Sequence, residues 1–532
     1  MGKFMVTTAI PYASGKSHIG NVYEDVLADA IARFHRKHGD DVYFQVGLDE
    51  HGLKIEEKAK EAGVSPQEYV DSIAVDFKEM LELLNISYSR LIRTTDPDHC
   101  KKVAKIFQKL YDQGDIYKGV YEGWYCTPCE SFFTESQIVD GKCPDCGREV
   151  TKAKEEAYFL KLSNYEQRLI DYLDSHPDFL VPESRKNEII NNFIKPGLQD
   201  LCVSRSTFTW GVQVPFDPKH VIYVWIDALI NYITFLGYDV DGCSEEFKKY
   251  WPADLQLLGK DIFRFHAIYW PIILMALDLP LPKQIFGHPW LLFSNDKMSK
   301  STGNITYADD LCRKYGTDAI RYYCLHEIPY AQDGNYTEDL LIERINSDLA
   351  NVLGNLVNRT ISMGNKYFSG HVTNTGVTGE FDEDLIKTIN ETKDKLAKDI
   401  DSLHLINALD DIFDVARRSN KYIDETTPWI LAKDENSKAR LETVIYNLLE
   451  AIRVIGSHLE SFLPETSEKI FAQLNNNKKE EEYIENNEYN LGTPSPLFMR
   501  IEKNEEWLFS WYTLSYESYW WYRWYDNGCR KE

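Results

Sequence analysis

The N-terminal part of the chain alternates short apolar runs with apolar residues at helical spacing. Residues 4–10 form an apolar run closed by Pro11, which predicts a buried strand. Apolar residues recur at helical spacing from 27 to 34, and 42–47 form a second apolar run. A strand, a turn, a helix and a strand in this order are typical of a parallel α/β sheet.

The rest of the chain changes pattern several times, which predicts a succession of distinct units. Aromatic, Cys-rich sequence begins near 116, alternating strands and helices return at 221, and helical spacing dominates after 340. We predict one sheet domain in two halves with an insertion between them, then a helical domain and two terminal segments: 1–115 and 221–340 for the halves, 116–220 for the insertion, 341–475 for the helices, 476–503 for a linker, polar and acidic to about 488, with the end of the regular sequence, and 504–532 for an aromatic tail.

Charge and composition narrow the class of protein. The 532 residues carry 59 Lys and Arg against 84 Asp and Glu, a net charge of −25, which excludes a polybasic tail but not a local basic face. The longest apolar stretch, 269–282, is too short for a membrane helix and contains Asp278. With no signal region and mostly scattered cysteines, we expect a cytoplasmic protein.

The first chemical motif lies between the first strand and the first helix, at residues 11–21. Gly15-Lys16-Ser17 suggests a phosphate-binding P-loop, but Ile10 stands where that motif needs glycine. What remains is a turn that places His18 and Asn21 at a helix N-terminus, a favourable place for an anion, with Gly20 leaving room for a planar base. The alternative is a helix cap with an incidental histidine.

The second motif is Lys297-Met298-Ser299-Lys300-Ser301. Two lysines three residues apart in a Ser- and Gly-rich loop suit a mobile clamp on phosphate groups. The alternative is a solvated loop with two surface lysines.

The third motif consists of two Cys-x-x-Cys pairs. Cys126 and Cys129 are followed by Cys143 and Cys146, which together supply four thiolates for a tetrahedral Zn²⁺, and Gly147 permits a tight turn. Four thiolates leave no open coordination position, so the site is expected to be structural. A disulfide is disfavoured by the expected reducing compartment.

His18-Ile19-Gly20-Asn21 and the lysine motif, at opposite ends of a split α/β domain, resemble the signature pair of class I aminoacyl-tRNA synthetases. The family usually has histidine at the position of Asn21, so His18 is expected to carry more of the phosphate interaction. The Cys-rich insertion, and a length that leaves no room for a large editing insertion, resemble the methionyl-tRNA synthetases over about residues 1–500. The resemblance implies a Rossmann-like parallel-sheet domain split by a zinc knuckle, followed by an all-α anticodon-binding helix bundle.

The same resemblance implies a role for particular residues. The catalytic residues would be His18, Lys297 and Lys300, and Leu229 stands where the family often has proline. The implied binding residues are Ile10, Tyr12, Asp49, Trp225, Ala228, Tyr232, Phe265, His266 and Trp270 for methionine; Gly20, Asn21, Gly259, Asp261, His288, Lys297 and Lys300 for ATP; and Asn355, Arg359, Pro428 and Trp429 for the anticodon. Aromatic side chains suit a thioether, although each of them could instead be a core residue.

The implied function is ATP-dependent ligation of L-methionine to tRNA(Met) through a methionyl-adenylate, with Mg²⁺ accompanying ATP and one Zn²⁺ per chain. The chain is expected to be a monomer without a membrane partner. Two alternatives remain: another class I synthetase, of which the cysteine enzyme is the sharpest rival, and a catalytically silent tRNA-binding paralogue. The aromatic tail is interpreted as an altered reading frame, against a partner-binding tail or a packed extension.

Overall fold

The computed structural model describes residues 2–502 apart from 128–130, 134, 136, 137, 139, 145, 146, 294, 295 and 298–305, and of 131, 132, 296 and 297 it describes the backbone alone. The aromatic tail therefore lies outside the described residues. The predicted α/β fold with a helical C-terminal domain is confirmed.

The first half of the sheet domain alternates strands and helices, as the hydrophobic pattern predicts. Ser65 caps one of these helices ahead of Pro66, with Glu68 completing a reciprocal capping arrangement. The elements are β1 (Lys3–Thr8), α1 (Ile19–Lys37), β2 (Asp41–Leu48), α2 (Leu53–Ala62), α3 (Pro66–Leu83), β3 (Arg90–Arg93) and α4 (Pro97–Asp112).

The Cys-rich segment forms a small antiparallel sheet. A ten-residue ladder pairs its two long strands from Ile116 with Leu160 to Tyr125 with Thr151. Its elements are β4 (Ile116–Cys126), β5 (Ser131–Phe133), β6 (Thr151–Leu160), α5 (Glu166–Ser175), β7 (Leu180–Val181), α6 (Glu183–Ile189), a π-helical turn (Ile190–Ile194), β8 (Leu201–Cys202) and β9 (Ser204–Arg205).

The second half of the sheet domain returns to strands and helices. It comprises β10 (Val221–Ile222), α7 (Val224–Thr234), β11 (Tyr238–Asp239), β12 (Gly242–Cys243), α8 (Glu245–Tyr250), β13 (Leu255–Gly259), a π-helical turn (Phe265–Tyr269), α9 (Trp270–Ala276), β14 (Ile285–His288), β15 (Leu291–Phe293), β16 (Asp296–Lys297), α10 (Ala308–Tyr315), α11 (Thr317–His326) and β17 (Gly334–Tyr336).

The central sheet is parallel throughout, in the order β3-β2-β1-β13-β14-β7. Its two halves meet where β1 pairs with β13, so the carboxyl ends of both strands open at one edge, the usual place for a ligand in such folds. One strand departs from the predicted division. β7 lies within 116–220 yet pairs with β14, so the insertion returns to the central sheet before it ends.

The C-terminal region is a bundle of long helices. Its elements are α12 (Glu338–Arg344), a π-helical segment (Ile345–Gly354), α13 (Asn355–Phe368), β18 (His371–Thr373), α14 (Asp382–Asp401), α15 (Leu405–Thr426), α16 (Pro428–Leu431), α17 (Lys438–Leu459), α18 (Pro464–Leu474) and β19 (Glu488–Asn490).

Where the sequence indicates a linker within 476–503, the described residues pack against the helical bundle. β19 pairs with β18, and the Tyr489 side chain is fully buried with its hydroxyl donating to Glu450 at 2.5 Å. The buried Arg453 guanidinium also donates to the carbonyl of Glu480 at 2.5 Å. The buried charged groups of Glu450 and Arg453 on α17 thus hold this segment in place, although its polar composition is typical of a linker.

Two hydrophobic cores flank the central sheet. The first extends from Val26 and Phe44 of the sheet domain to Leu349, Leu409 and Ile445 of the helical bundle as one continuous cluster. The second packs the opposite face of the sheet against α4, α5, α7 and α9. Among the described residues, no helix is both long enough and apolar enough to cross a membrane.

Candidate active site

The first motif forms the N-terminus of α1, as predicted. His18 precedes the helix in extended conformation, and its backbone N–H donates to the Asn21 side-chain oxygen at 3.2 Å. Asn21 therefore caps the helix, and its amide NH₂ is the group that can donate outward. A Cβ on Gly20 would lie 3.2 Å from the His18 ring, so glycine keeps this surface open.

The two flanks of the lysine motif are anchored beside this turn. The backbone of Lys297 pairs with Leu292 in a hairpin. After the undescribed residues 298–305, the Thr306 carbonyl accepts from the Ile19 N–H at 3.0 Å, and the Lys16 ammonium lies 2.8 Å from the Asp309 carboxylate. The described flanks of the lysine motif thus lie beside the first motif, while Lys300 and the Lys297 side chain lie outside what the structure describes.

Three residues predicted for ATP gather at the ends of β13 and β14. A Cβ on Gly259 would lie 2.8 Å from Asp261 Oδ1 and 3.7 Å from His288 Cε1. A larger side chain at Gly259 would therefore have to displace the Asp261 carboxylate from a turn predicted to bind ribose.

His288 has a partner that the sequence analysis did not identify. Its Nε2 lies 2.8 Å from Glu24 Oε2, and both side chains are almost fully buried. Burial raises the pKa of Glu24, opposed by the hydrogen bond from His288. Glu24 follows Gly20 by four residues on α1, so an acidic residue on the buried face of that helix was the available signal.

Aromatic side chains predicted to bind methionine lie on two elements that pack together. Trp225 of α7 stacks on Phe265 with ring centroids 3.7 Å apart and an interplanar angle of 9°. Tyr232 lies about two turns further along the same face of α7, 5.7 Å from the Trp270 ring, and Ala228 lies between Trp225 and Tyr232 in the sequence at helical spacing. Leu229 is buried in the second core, so it packs away from solvent where the family often has proline.

His266 is held in one protonation state. Its Nδ1–H donates to the Ile262 carbonyl at 3.2 Å, so Nε2 accepts from the Tyr232 hydroxyl at 2.9 Å. Burial lowers the pKa of His266 to about 4. A neutral imidazole therefore lines this wall at neutral pH, which suits an uncharged side chain.

The other residues predicted to bind methionine lie at the ends of β1 and β2. Asp49 forms an isolated parallel bridge with Tyr12, and the Asp49 N–H donates to the Pro11 carbonyl at 3.0 Å. Asp49 is buried, whereas Ile10 and Tyr12 are half-buried. A carboxylate beside an aromatic wall is the chemistry that an amino acid's ammonium group requires.

Two of the four predicted zinc ligands are described. Cys126 ends β4, Cys143 lies in the following turn, and both are buried in a small cluster with Phe133 and Val150. Gly147 takes a positive φ of 69°, as the predicted tight turn requires. Buried thiols at such a turn fit a zinc knuckle; Cys129 and Cys146 lie outside the described residues.

A second group of metal-ligand type has a different explanation. Glu156, Asp217 and His220 bring ligand atoms within 4.8 Å of one another. The Lys118 ammonium, however, lies 2.6 Å from Glu156 and 2.9 Å from Asp217. This group is therefore neutralised by a lysine, and we assign it no metal.

The predicted anticodon residues lie on the helical bundle. Trp429 of α16 is 42% exposed and the neighbouring Ile430 is 55% exposed, so Trp429 is not a core residue. Pro428 is buried at the start of α16, while Asn355 is exposed and Arg359 half-exposed on one face of α13. An exposed tryptophan is suited to stacking on an unpaired base.

Comparison with known proteins agrees with this geometry. The sequence profile described as "tRNA synthetases class I (M)" matches residues 4–155 and 148–361, and "Anticodon binding domain of methionyl tRNA ligase" matches residues 372–507. The methionine–tRNA ligase of Clostridium acetobutylicum is 59% identical over 473 residues, 89% of this chain and 73% of that protein. The methionine–tRNA ligase of Bacillus subtilis is 51% identical over 483 residues, 88% of this chain and 73% of that protein.

A solved structure gives the same result. The Mycobacterium tuberculosis methionyl-tRNA synthetase in complex with methionyl-adenylate superposes with a TM-score of 0.89 at 41% identity, covering 94% of this chain and all of that chain. The split parallel-sheet domain and its paired motifs define a class I aminoacyl-tRNA synthetase. Within that class the chain belongs to the methionyl-tRNA synthetase family, the enzymes that ligate methionine to tRNA with ATP.

Proposed function

We propose that methionine is activated between the walls formed by Asp49 and by the aromatic residues of α7 and the 265–270 segment. Asp49 binds the α-ammonium group, and Trp225, Ala228, Tyr232, Phe265, His266 and Trp270, with Ile10 and Tyr12, surround the thioether. The observation that carries this proposal is that two pairs of predicted pocket residues, the stacked Trp225–Phe265 pair and the hydrogen-bonded Tyr232–His266 pair, both join α7 to the 265–270 segment. Polarizable sulfur makes favourable contacts with such rings.

Phosphate chemistry is assigned to the two motifs. The methionine carboxylate attacks the α-phosphate of ATP and pyrophosphate leaves, so negative charge must be stabilised on the phosphates. His18, Lys297 and Lys300 carry out this role, while Gly20, Asn21, Gly259, Asp261 and His288 hold the nucleotide. Mg²⁺ enters with ATP, because phosphate oxygens are among its preferred ligands. The terminal ribose hydroxyl of tRNA then attacks the adenylate.

Methionine-dependent ATP–pyrophosphate exchange tests this assignment. Removing one preorganised donor costs about 3–4 kcal/mol of transition-state stabilisation, so Lys297→Ala should slow adenylate formation 10²- to 10³-fold. Asp49→Asn should instead raise the methionine KM far more than the ATP KM. Unchanged single-turnover adenylation by Lys297→Ala would contradict the assignment; the surface variant Lys248→Ala is the matched control.

We further propose one structural Zn²⁺ held by Cys126, Cys129, Cys143 and Cys146. The buried thiols of Cys126 and Cys143 and the turn at Gly147 support it. Bound zinc would tie the hairpin turn to β4 and leave no position for substrate. Elemental analysis of protein purified without chelator should find one zinc per chain, and Cys143→Ala should lose it; the distant Cys100→Ala should keep it.

The anticodon of tRNA(Met) is assigned to Trp429, with Pro428 setting the start of its helix and Asn355 and Arg359 reading base edges. The exposure of Trp429 supports this assignment. The cytoplasmic location and the monomeric state stay predictions; sedimentation at dilute concentration tests the second.

A further inference from the structure

The pocket helix α7 has a second, polar face. Trp225, Ala228 and Tyr232 are separated by three and four residues. Asp227, Asn231 and Thr234 form a second set, separated by four and three residues. At 100° per residue the two sets lie on different sides of the helix. Asp227, Asn231 and Thr234 are nonetheless 2% exposed or less, so they are polar groups kept inside the protein.

Asp227 is the centre of this buried face. One carboxylate oxygen lies 2.7 Å from His51 Nδ1 and the other lies 2.9 Å from His99 Nε2. Burial by itself raises the pKa of Asp227, but the two imidazoles outweigh burial and lower it to about 2. The carboxylate is therefore ionised and accepts from both rings, since an ionised carboxylate has no proton to donate.

The His99 imidazole contacts the C-terminal end of α7. With Nε2–H donating to Asp227, His99 Nδ1 lies 2.7 Å from the Thr234 hydroxyl, which supplies the matching proton when the ring is neutral. Asn231 between them accepts from the Gln45 amide of β2 at 2.8 Å. The polar face of α7 is thus bonded to α4 and to β2.

The His51 imidazole belongs to the loop that carries Asp49. His51 follows Asp49 by two residues, and its carbonyl accepts from the Tyr12 hydroxyl at 2.6 Å. Trp210 holds the same loop from outside, because its indole N–H donates to the Glu50 carbonyl at 2.6 Å. A continuous chain of bonds therefore runs from Tyr12 through His51 and Asp227 to α7.

We infer that Asp227 is a positioning residue for methionine binding: through His51 it fixes the Asp49 loop against the helix that carries the aromatic wall. This inference rests on the proposed methionine pocket. Asp227 does not touch the substrate in this arrangement, and its effect is to set the separation between the ammonium-binding and side-chain-binding walls. A charged, doubly bonded carboxylate suits that role, because charge-assisted hydrogen bonds are both stronger and more directional than neutral ones.

The test is Asp227→Asn, which keeps the shape of the side chain and removes its charge. We expect the methionine KM in pyrophosphate exchange to rise about tenfold, the equivalent of weakening one charge-assisted hydrogen bond, while kcat and the ATP KM change less than about twofold. The matched control is Asp382→Asn, another buried carboxylate, held by Arg440 and Tyr422 in the helical bundle. It should lower the thermal midpoint without moving the methionine KM.

A second pair of variants, at His99, tests the inference even if Asp227→Asn folds poorly. His99→Gln keeps an N–H donor toward Asp227 and His99→Ala removes it, so Gln should preserve the methionine KM and Ala should raise it. Equal loss of kcat and of both KM values in Asp227→Asn, or an unchanged methionine KM, would overturn the inference. Asp49→Asn tests the proposed methionine pocket separately from the role of Asp227. If it leaves the methionine KM unchanged, the pocket assignment itself fails.

Discussion

At the scale of single residues, the proposed methionine pocket combines a charged carboxylate with an uncharged imidazole. Asp49 supplies one carboxylate for an ammonium group, whereas His266 is kept neutral by burial and by its two hydrogen bonds. A charged imidazole here would have to lose its hydration without gaining a counter-ion. The same burial that shapes the pocket therefore makes the folded protein sensitive to acid.

The pH dependence of His266 can be worked out from its pKa of about 4, below the ordinary value of 6.5. Between these values the unfolded chain binds the proton and the folded chain does not, so stability is present above pH 6.5 and falls as pH drops toward 4. The loss in the free energy of unfolding, from above pH 6.5 to below pH 4, is about 3 kcal/mol. His266→Gln should lose this dependence.

Urea unfolding followed by tryptophan fluorescence at pH 7 and pH 4.5 measures the effect. The wild-type midpoint should drop more steeply between the two pH values than that of His266→Gln. Parallel pH profiles for the two proteins would show that His266 titrates normally. His371→Gln is the control, at a histidine of the C-terminal region whose side chain is 56% exposed.

The stacked pair makes a separate prediction. Trp225→Ala removes the aromatic surface over Phe265 and should raise the methionine KM about 10- to 100-fold, since aromatic pairs and buried rings each contribute on the order of 1–3 kcal/mol. Trp225→Phe keeps a ring and should retain most of the affinity. Isothermal titration with methionine distinguishes the two, and equal affinities would place Trp225 outside the pocket.

At the scale of elements, the short helix α16 presents two apolar side chains to solvent. Trp429 and Ile430 are exposed, and Thr427 precedes them with a positive φ of 43°. A non-glycine residue rarely adopts that conformation without a local reason. The turn thus fixes the direction in which Trp429 points.

Trp429→Ala should weaken aminoacylation of tRNA(Met) by one stacking interaction, about 1–3 kcal/mol, and leave pyrophosphate exchange intact. Trp429→Phe should recover part of the loss, and the nearby exposed variant Lys421→Ala serves as the control. A parallel fall in exchange would show that α16 supports the catalytic domain rather than the anticodon.

The elements also show how far sequence reasoning reaches. The strand, helix and strand at the start of the chain follow from apolar spacing, and β1 and α1 form where the pattern places them. The two-residue strand β7 cannot be found in this way, because two residues show no periodicity. Its partner strand β14 also lies about 100 residues further along the chain. The packing of the segment around Glu481 and Tyr489 cannot be found either, for a related reason: its buried partners lie on α1 and α17.

The candidate site divides in the same manner. His18, Asp49 and the aromatic wall are recognised from motifs, which are local in sequence. Glu24 and Asp227 are not, since their function depends on His288 and on His51 and His99, residues more than forty positions away. Partners of buried charges are set by tertiary packing, and no local pattern encodes them.

At the scale of the whole molecule, charged groups join the catalytic domain to the helical bundle. The Lys37 ammonium at the end of α1 lies 2.6 Å from the Glu481 carboxylate, and His38 Nε2 lies 3.1 Å from the second oxygen of the same carboxylate. Burial opposes ionisation, but His38, His458 and Lys37 lower the pKa of Glu481 below its usual range. The helix that begins at the phosphate motif therefore ends in a buried contact with the bundle.

Glu481→Gln should lower stability at pH 7 by about 2 kcal/mol, the loss of a buried charge-assisted contact, and lower the thermal midpoint by several degrees. A carboxylate with a lowered pKa stabilises the fold above the unfolded pKa and loses that contribution in acid, so the gap to wild type should narrow at low pH. Glu482→Gln, at an exposed neighbour, is the control. A midpoint equal to wild type would place the junction elsewhere.

The continuous first core has a consequence for experiments on fragments. The two matched family profiles end and begin at 361 and 372, yet the apolar cluster runs through that boundary from Phe44 to Ile445. Cutting the chain there would leave each piece with a bare apolar face that fits the other. Two separately expressed halves should therefore recombine in solution and restore pyrophosphate exchange, as a complementing pair rather than as two independent modules.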